Sequence, residues 1–292
     1  MHSTHSDGVC SPCEVVIAAA RAGLVALAIT DHDTVSAVAV ARREAIFWGV
    51  ELVAGVEWTA AFGDREIHVL GHFLDEGDPA VVAACTRLRL ARDERLSALA
   101  ERLAALGLSV DLDALRQAFP RATLGRRHLA EWLARTKQVG SVREAFTRYL
   151  GDAGPAVVPK PRLDWEQAIA LTTAAGGVAG LAHPPYNLRE AELATLADGG
   201  LGALEVDGPA VSARLGQRWR DWADHSGLVP IAGSDFHAPD RPGRWVGAVV
   251  TPDESLERLR GRAAGAPLLP VTLSAPRPAP GEPRRGGARD RR

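Results

Sequence analysis

Short apolar runs alternate with stretches of helical spacing along most of the chain. Residues 24–29 read Leu-Val-Ala-Leu-Ala-Ile, which is typical of a strand buried on both faces. Helical spacing flanks this run at residues 12–21 and 35–48. Further strands are predicted at residues 51–56, 65–74, 177–181, 201–206, 228–232 and 245–250, and further helices at residues 165–175, 188–197 and 253–262. This alternation predicts an α/β protein with parallel strands.

The first of these apolar runs ends abruptly in Thr-Asp-His-Asp at residues 30–33. Barrels and open sheets of the α/β class carry their chemistry at the carboxyl ends of parallel strands. For this segment alone a turn with a helix cap is an equally good interpretation, because Asp33 or Thr34 can cap the following helix. A functional interpretation of this segment therefore requires the same pattern at other strand ends.

Polar strand ends do recur along the chain. Six of the nine histidines fall at predicted strand ends or short polar junctions, with carboxylates beside them. The histidines are His2, His32, His68, His128, His183 and His237, and the carboxylates are Asp7, Asp31, Glu57 and Asp235. A single core histidine is usually only hydrogen-bonded, but parallel strands bring many such ends to one rim.

This set of side chains predicts a metal site. Imidazole and carboxylate ligands without thiolate suit Mn, Zn or Fe and argue against copper or an iron–sulfur cluster. There are more ligands than one ion needs, so the set predicts two or three ions. A site of this kind clamps a phosphoryl group and ionises a water molecule.

Residues 77–151 depart from the alternation. They are rich in Ala, Leu and Arg with helical spacing, which predicts a helical insert. Within the insert, Arg126, Arg127 and His128 lie near a predicted helix start, where backbone N–H groups and guanidinium forks favour an anion. An ordinary basic helix face is the alternative.

Composition narrows the class of protein further. Hydrophobic residues make up 46% of the chain, enough for a sizeable core, and no apolar run approaches the roughly 20 residues that span a bilayer. Three cysteines are too few for a disulfide framework, so a cytoplasmic location is expected. Cys10 and Cys13 have the spacing of half a zinc site, but no second pair follows. Residues 273–292 are rich in Pro, Arg and Gly, which predicts a disordered basic tail.

Six short motifs, in order and spacing, resemble the PHP (polymerase and histidinol phosphatase) family over about residues 2–250. They are His-Ser-Thr-His-Ser-Asp-Gly at 2–8, Ile-Thr-Asp-His-Asp at 29–33, Gly-Val-Glu at 55–57, Ile-His-Val-Leu-Gly at 67–71, Ala-His-Pro at 182–184 and Gly-Ser-Asp-Phe-His at 233–237. Three segments at residues 125–130, 145–151 and 156–160 resemble the branch with nucleoside 3′,5′-bisphosphate phosphatase and 5′→3′ exoribonuclease activity.

The resemblance implies a distorted (β/α)7 TIM-like barrel formed by residues 1–76 and 152–272, with the insert at 77–151 covering the site. It also implies three divalent ions, with Mn favoured over Zn or Fe. The implied ligands are His2, Glu57 and Asp235 for one ion, Glu57, His68 and His183 for a second, and Asp7, His32 and His237 for the third. Arg126, Arg127, His128 and Lys160 are implied to hold a second phosphate.

One departure from the family concerns the first strand. The family begins this strand with His-x-His, and Met1 occupies the x position here. We therefore expect the first histidine and the first barrel strand to be missing from this sequence, and the DNA just upstream to encode them in frame. The alternative is that this protein has lost a ligand and a barrel strand.

The predicted function is that of a metal-dependent phosphoesterase. A metal-bound hydroxide held by Glu57, His183 and Asp235 is expected to attack phosphorus in line. The expected substrates are nucleoside 3′,5′-bisphosphates, cleaved at the 3′-phosphate, or short 5′-phosphorylated RNA, with no membrane and no obligate protein partner. The alternatives are a histidinol-phosphatase-like enzyme, a non-catalytic metal- or nucleotide-binding PHP module, and a barrel amidohydrolase.

Overall fold

A computed structural model describes residues 1–120 and 122–263, in which seven strands form one curled sheet. The strands are β1 (Ala26–Ile29), β2 (Glu51–Phe62), β3 (Arg65–His72), β4 (Leu163–Asp164), β5 (Val178–Leu181), β6 (Ala203–Asp207) and β7 (Val229–Ala232). The helices are α1 (Pro12–Arg21), α2 (Ser36–Trp48), α3 (Pro79–Ala105), α4 (Leu112–Ala118), α5 (Arg126–Arg135), α6 (Val142–Ala145), α7 (Trp165–Ala174), α8 (Glu190–Asp198), α9 (Ala213–Ser226) and α10 (Asp253–Arg262), with a π-helix at Phe146–Leu150. The predicted α/β class is confirmed. The tail predicted at residues 273–292 lies outside the described residues.

The sheet has the strand order β1-β2-β3-β5-β6-β7, and β4 pairs with β2. Strand β3 runs antiparallel to both β2 and β5, whereas the other pairs are parallel. The prediction of parallel strands is therefore wrong at β3. The reason is a tight hairpin, in which Phe62 pairs with Arg65 across a two-residue loop whose Gly63 has a φ of 59°.

Two predicted strands differ from the observed ones. Strand β2 continues to Phe62 instead of ending at residue 56, so Glu57 lies inside a strand. The strand predicted at residues 245–250 is absent, because consecutive turns occupy this region. Gly243 and Gly247 have φ values of 72° and 86°, which suit turns and interrupt an extended run.

Helix α3 connects two apolar cores. Its first turns bury Val81, Ala84 and Leu88 in the core beneath the sheet. Its later turns bury Leu96, Leu99 and Leu103 in a second core, together with residues of α5. The spacing of three and four residues keeps both sets on one face of the helix. The helical region, residues 79–150, is thus anchored to the sheet by the helix that begins it.

Strands β1 and β7 are the two ends of the sheet, and no backbone pairing joins them among the described residues. A cavity of about 400 Å³ lies between them. Its walls are mainly apolar, and its polar end includes His72, Glu205 and the α-amino group of Met1, which donates a hydrogen bond to Thr30 Oγ1 (2.9 Å). The sheet described here is therefore an open, curled half-barrel. In the described part of the chain, no helix is both long and apolar enough to cross a membrane.

Candidate metal centre

The N-terminal turn, residues 2–8, is fixed beside the end of β1. The backbone N–H of His2 donates to the carbonyl of Phe236 (2.9 Å). The carboxylate of Asp31 accepts hydrogen bonds from the backbone N–H of Ser3 (2.7 Å) and from the hydroxyls of Ser3 and Ser6 (2.6 and 2.5 Å). Asp31 therefore positions the turn that carries His2, and it belongs to none of the groups of potential metal ligands among the described residues.

Gly8 closes this turn and makes it sensitive to a single methyl group. Its N–H donates to the carbonyl of Ser3 (3.0 Å), and a Cβ added to Gly8 would lie 2.5 Å from the carbonyl oxygen of His2. Gly8→Ala should therefore displace His2 and Asp7 and lower metal content and turnover at least about tenfold, since forced overpacking costs roughly 1–3 kcal/mol. The matched control is Gly261→Ala in α10, where an added Cβ meets no atom within 4 Å. Equal activity in both variants would show that the turn tolerates displacement.

The eight predicted metal ligands come together in one place, which we call the metal cluster. Its members are His2, Asp7, His32, Glu57, His68, His183, Asp235 and His237. Three overlapping groups have ligand atoms within 4.8 Å of one another: His2, Asp7, His32 and His237; His32, Glu57 and His68; and His2, Glu57 and Asp235. His183 stands outside these groups but contacts Glu57, with its Nε2 3.1 Å from Oε1. The family resemblance implies that His32 shares an ion with Asp7 and His237, whereas the structure also brings it close to Glu57 and His68.

Glu57 lies at the middle of the metal cluster and is almost fully buried. Its Oε2 is 3.0 Å from Nε2 of His2, and its Oε1 is 2.6 Å from Nδ1 of His68. Nε2 of His2 also lies 3.3 Å from Oδ1 of Asp235. The two oxygens of Glu57 thus face different sets of ligands, which is the arrangement of a carboxylate that bridges two ions.

The residues around Asp7 test whether this cluster suits a metal. Oδ1 of Asp7 lies 3.3 Å from Nε2 of His237 and 4.0 Å from Nε2 of His32. Asp7 Oδ1 and His32 Nδ1 are both sealed from solvent, and neither contact nor orientation gives them a well-aligned hydrogen bond among the described residues. Buried polar atoms normally have a bonding partner, and a bound metal ion would provide one for both of these atoms. Imidazole nitrogens and carboxylate oxygens are the donors that divalent ions such as Mn and Zn accept, and the residues therefore fit the implied metal.

The electrostatics of the cluster favour cations. Burial opposes charge on His2, but its hydrogen bonds with Asp235 and Glu57 outweigh burial and raise the pKa of His2 to about 10. Burial also opposes charge on His68, but the nearby charge of Glu57 outweighs burial and raises the pKa of His68 to about 9. The pKa of Glu57 lies well below its usual range despite burial, because His32 and His68 favour its charged form. Burial lowers the pKa of His32 to about 3, so this imidazole stays neutral. The negative field that holds protons on His2 and His68 also attracts metal ions.

Two of the predicted ligands occupy strained backbone conformations. His183 and Asp235 have φ values of 27° and 46°, in the left-handed region. The N–H of His183 donates to Oε2 of Glu205 (2.5 Å), and burial raises the pKa of the Glu205 carboxyl to about 7. Strain of this kind costs of order 1–3 kcal/mol and persists where the surroundings enforce it. Glu205 was not predicted as a site residue, although it interrupts the apolar run that forms β6.

A second group of buried polar residues lies next to the metal cluster in the chain and holds one of its segments in place. Asp33 accepts hydrogen bonds from the N–H and hydroxyl of Thr59 (2.7 and 2.9 Å) and from Nε of Arg92 (2.9 Å). All three residues are buried. Asp33 follows His32 directly, so this network fixes the segment that carries a predicted ligand.

The residues predicted to hold a second phosphate already have partners in the protein. Arg126 Nη1 donates to the carbonyl of Leu150 (3.0 Å) and to Asp152 (2.7 Å). Arg127 pairs with Glu131 one helical turn away (2.9 Å), and Lys160 pairs with Glu66 (2.8 Å).

His128 is buried, and its Nδ1 accepts the N–H of Gly125 (3.1 Å) at the start of α5. Burial lowers the pKa of His128, and the charge of Asp7 opposes that effect, so His128 lies near the metal cluster. The structure therefore brings His128 towards the cluster, whereas Arg127 is engaged along its own helix.

Comparisons with known proteins agree with this geometry. A scan against protein-family models gives no match. The chain is 33% identical to a 3′,5′-nucleoside bisphosphate phosphatase of Chromobacterium violaceum, over 84% of this chain and 88% of that protein. It is 34% identical to a 5′-3′ exoribonuclease of Haemophilus influenzae, over 82% of this chain and 88% of that protein.

Solved structures add two neighbours. A metal-dependent phosphoesterase from Bifidobacterium adolescentis superposes with a TM-score of 0.83 at 26% identity, covering 90% of this chain and 95% of that one. A Chromobacterium violaceum protein described as an amidohydrolase, with bound sulfate and no metal, superposes with a TM-score of 0.78 at 30% identity, covering 89% and 94%.

A curled α/β sheet with clustered histidines and carboxylates at its rim defines a metal-dependent hydrolase. The relatives whose names state an activity act on phosphate esters. The chain belongs to the PHP family of metal-dependent phosphoesterases and shares its branch with bisphosphate phosphatase and exoribonuclease relatives.

Proposed function

We propose that the protein hydrolyses phosphate esters of nucleotides, either removing the 3′-phosphate of nucleoside 3′,5′-bisphosphates or degrading short 5′-phosphorylated RNA. The observation that carries this proposal is Glu57, whose two carboxylate oxygens face different groups of ligands beneath a basic helical region. The named activities of the bisphosphate phosphatase and exoribonuclease relatives support the substrate class. A cytoplasmic enzyme is consistent with these substrates.

We propose that the cluster holds two or three divalent ions, with Mn preferred. His2, Glu57 and Asp235 would bind one ion, Glu57, His68 and His183 a second, and Asp7, His32 and His237 a third. Mixed nitrogen and oxygen ligands support Mn, and also fit Zn or Fe. The short distances from Glu57 to His2, His68 and His183 support its role as the shared ligand.

The protein's own residues would place the reacting phosphate and shield it from bulk water. Divalent ions at such a site neutralise phosphoryl oxygens and make a bound water acidic enough to act as the nucleophile near neutral pH. Glu57, His183 and Asp235 are the residues that would hold this water in line with phosphorus. Glu205 would keep His183 in its strained orientation, and Asp33 would fix His32. Arg126, Arg127 and Lys160 would add to the positive field around a second phosphate, although each also pairs with a carboxylate of the protein, and His128, whose pKa burial lowers, would face it as a neutral imidazole.

Phosphate release with Mn²⁺ tests this proposal. Release of inorganic phosphate is compared for adenosine 3′,5′-bisphosphate and histidinol phosphate, and release of mononucleotides is measured for a short 5′-phosphorylated RNA. We expect turnover of the bisphosphate or of the RNA at least about a hundredfold above that of histidinol phosphate. Faster release from histidinol phosphate would overturn the substrate assignment, and no release from any of the three would favour a non-catalytic module.

A further inference from the structure

Arg95 is a buried cation without a counter-ion. It lies in α3, one turn beyond Arg92, and 8% of its surface is exposed. Its Nε donates to the carbonyl of Val158 (2.9 Å). No carboxylate within the described residues forms an ion pair with its guanidinium, so the four N–H groups on its terminal nitrogens have no protein acceptor there.

The surroundings of Arg95 are strongly positive. Burial lowers the pKa of Arg95 to about 10, and the charges of Arg126 and Arg92 add to that effect. Arg92 is neutralised by Asp33, and Arg126 by the exposed carboxylate of Asp152. Arg95 therefore contributes the one uncompensated positive charge among these three arginines. A largely buried charge without a counter-ion is costly, and an anion at the accessible end of the guanidinium would relieve that cost.

Two neighbouring residues, Glu66 and Arg92, connect Arg95 with the metal cluster. The carboxylate of Glu66, which acts electrostatically on Arg95, contacts Nε2 of His68 (3.2 Å) and Nζ of Lys160 (2.8 Å). Arg92, on the other side, bonds to the aspartate that follows His32. Neither terminal nitrogen of Arg95 is among the polar atoms of the described residues that are both sealed and unbonded, so both keep some contact with solvent and an anion can approach them.

From this geometry we propose that the guanidinium of Arg95 binds a phosphate of the substrate that is not hydrolysed, and so selects doubly phosphorylated substrates. This inference rests on the proposed function and adds a specificity residue to it. A planar guanidinium with four unused N–H groups can bind two phosphate oxygens at once. Arg127 and Lys160 are less suited to this role, because carboxylates of the protein already engage them.

The test measures binding without turnover. Adenosine 3′,5′-bisphosphate and adenosine 3′-monophosphate are titrated calorimetrically into the protein in excess EDTA, which removes metal and stops hydrolysis. In the unmodified protein the second phosphate should tighten binding at least about tenfold. In Arg95→Met, which keeps much of the apolar stem, the two ligands should bind alike.

The matched control is Arg102→Met. Arg102 lies in the same helix and donates to the carbonyl of Val157, next to the acceptor of Arg95, but it is exposed and outside the group of three arginines. The control should keep the preference for the bisphosphate. If it loses the preference as fully as Arg95→Met, the role of Arg95 is to hold residues 157–158 and the proposal is wrong.

Two other outcomes would also overturn the proposal. One is an unmodified protein that binds both nucleotides equally or binds neither. The other is an Arg95→Met variant that keeps the full preference. Because these measurements involve no hydrolysis, they remain separate from the phosphate-release test, and an enzyme active on another substrate could still fail here.

Discussion

Glu57→Gln should lower both the metal content of the protein and its turnover, the latter at least about a hundredfold. The substitution keeps the shape of the side chain but removes the charge that lies between His2 and His68. A neutral amide can no longer hold two divalent cations near each other, because their mutual repulsion then has no anion between them. A hundredfold loss corresponds to about 2.7 kcal/mol of transition-state stabilisation.

Metal content is measured by emission spectroscopy after reconstitution with Mn²⁺, and turnover by phosphate release. The control is Glu51→Gln, the same substitution at the start of the same strand, where the carboxylate pairs with Arg260 at the rim of the protein. We expect Glu51→Gln to keep its metal and its activity. An unchanged metal content in Glu57→Gln would place this carboxylate outside the metal site.

Asp33→Asn should destabilise the protein by about 3–5 kcal/mol, because it leaves the buried guanidinium of Arg92 without its counter-ion. Asp33 and Arg92 are both buried, and Asp33 also accepts two hydrogen bonds from Thr59. The free energy of unfolding is measured by urea denaturation in the presence of EDTA, so that metal binding does not contribute.

Asp93→Asn is the control for this stability measurement. Asp93 lies in α3 and forms an exposed pair with Arg89 at 3.9 Å. Exposed pairs contribute about 0–1 kcal/mol, so this variant should unfold almost like the unmodified protein. A loss at Asp33 no larger than the loss at Asp93 would mean that water or another group compensates Arg92.

The metal cluster was largely predictable because its ligands interrupt apolar runs. His32 and Asp235 follow runs that become β1 and β7, and each stands out from its neighbours in the sequence. His68 was counted among the strand ends and polar junctions, but it lies within the antiparallel strand β3. The Gly63-Asp64 pair that turns the chain into β3 was a recognisable hairpin signal that the prediction of parallel strands overlooked.

The supporting residues were not predictable in the same way. Arg92 and Arg95 belong to a run that also contains Arg87 and Arg89, and nothing in the local pattern separates buried arginines from exposed ones. Their burial depends on where α3 crosses the sheet and which loop covers it, which are tertiary facts. Glu205 likewise resembles an ordinary strand-end carboxylate until its partner, the backbone N–H of His183, comes into place across the sheet.

Chelation and stepwise return of Mn²⁺ test the central claim most directly. The protein is stripped with EDTA, and phosphate release from adenosine 3′,5′-bisphosphate is measured as Mn²⁺ is added back, with the bound metal counted at each step. Since Glu57 faces two groups of ligands, we predict that stripped protein is inactive and that turnover returns only when more than one ion per chain has bound. Full turnover in the stripped protein, or full recovery with no more than one bound ion, would contradict the account.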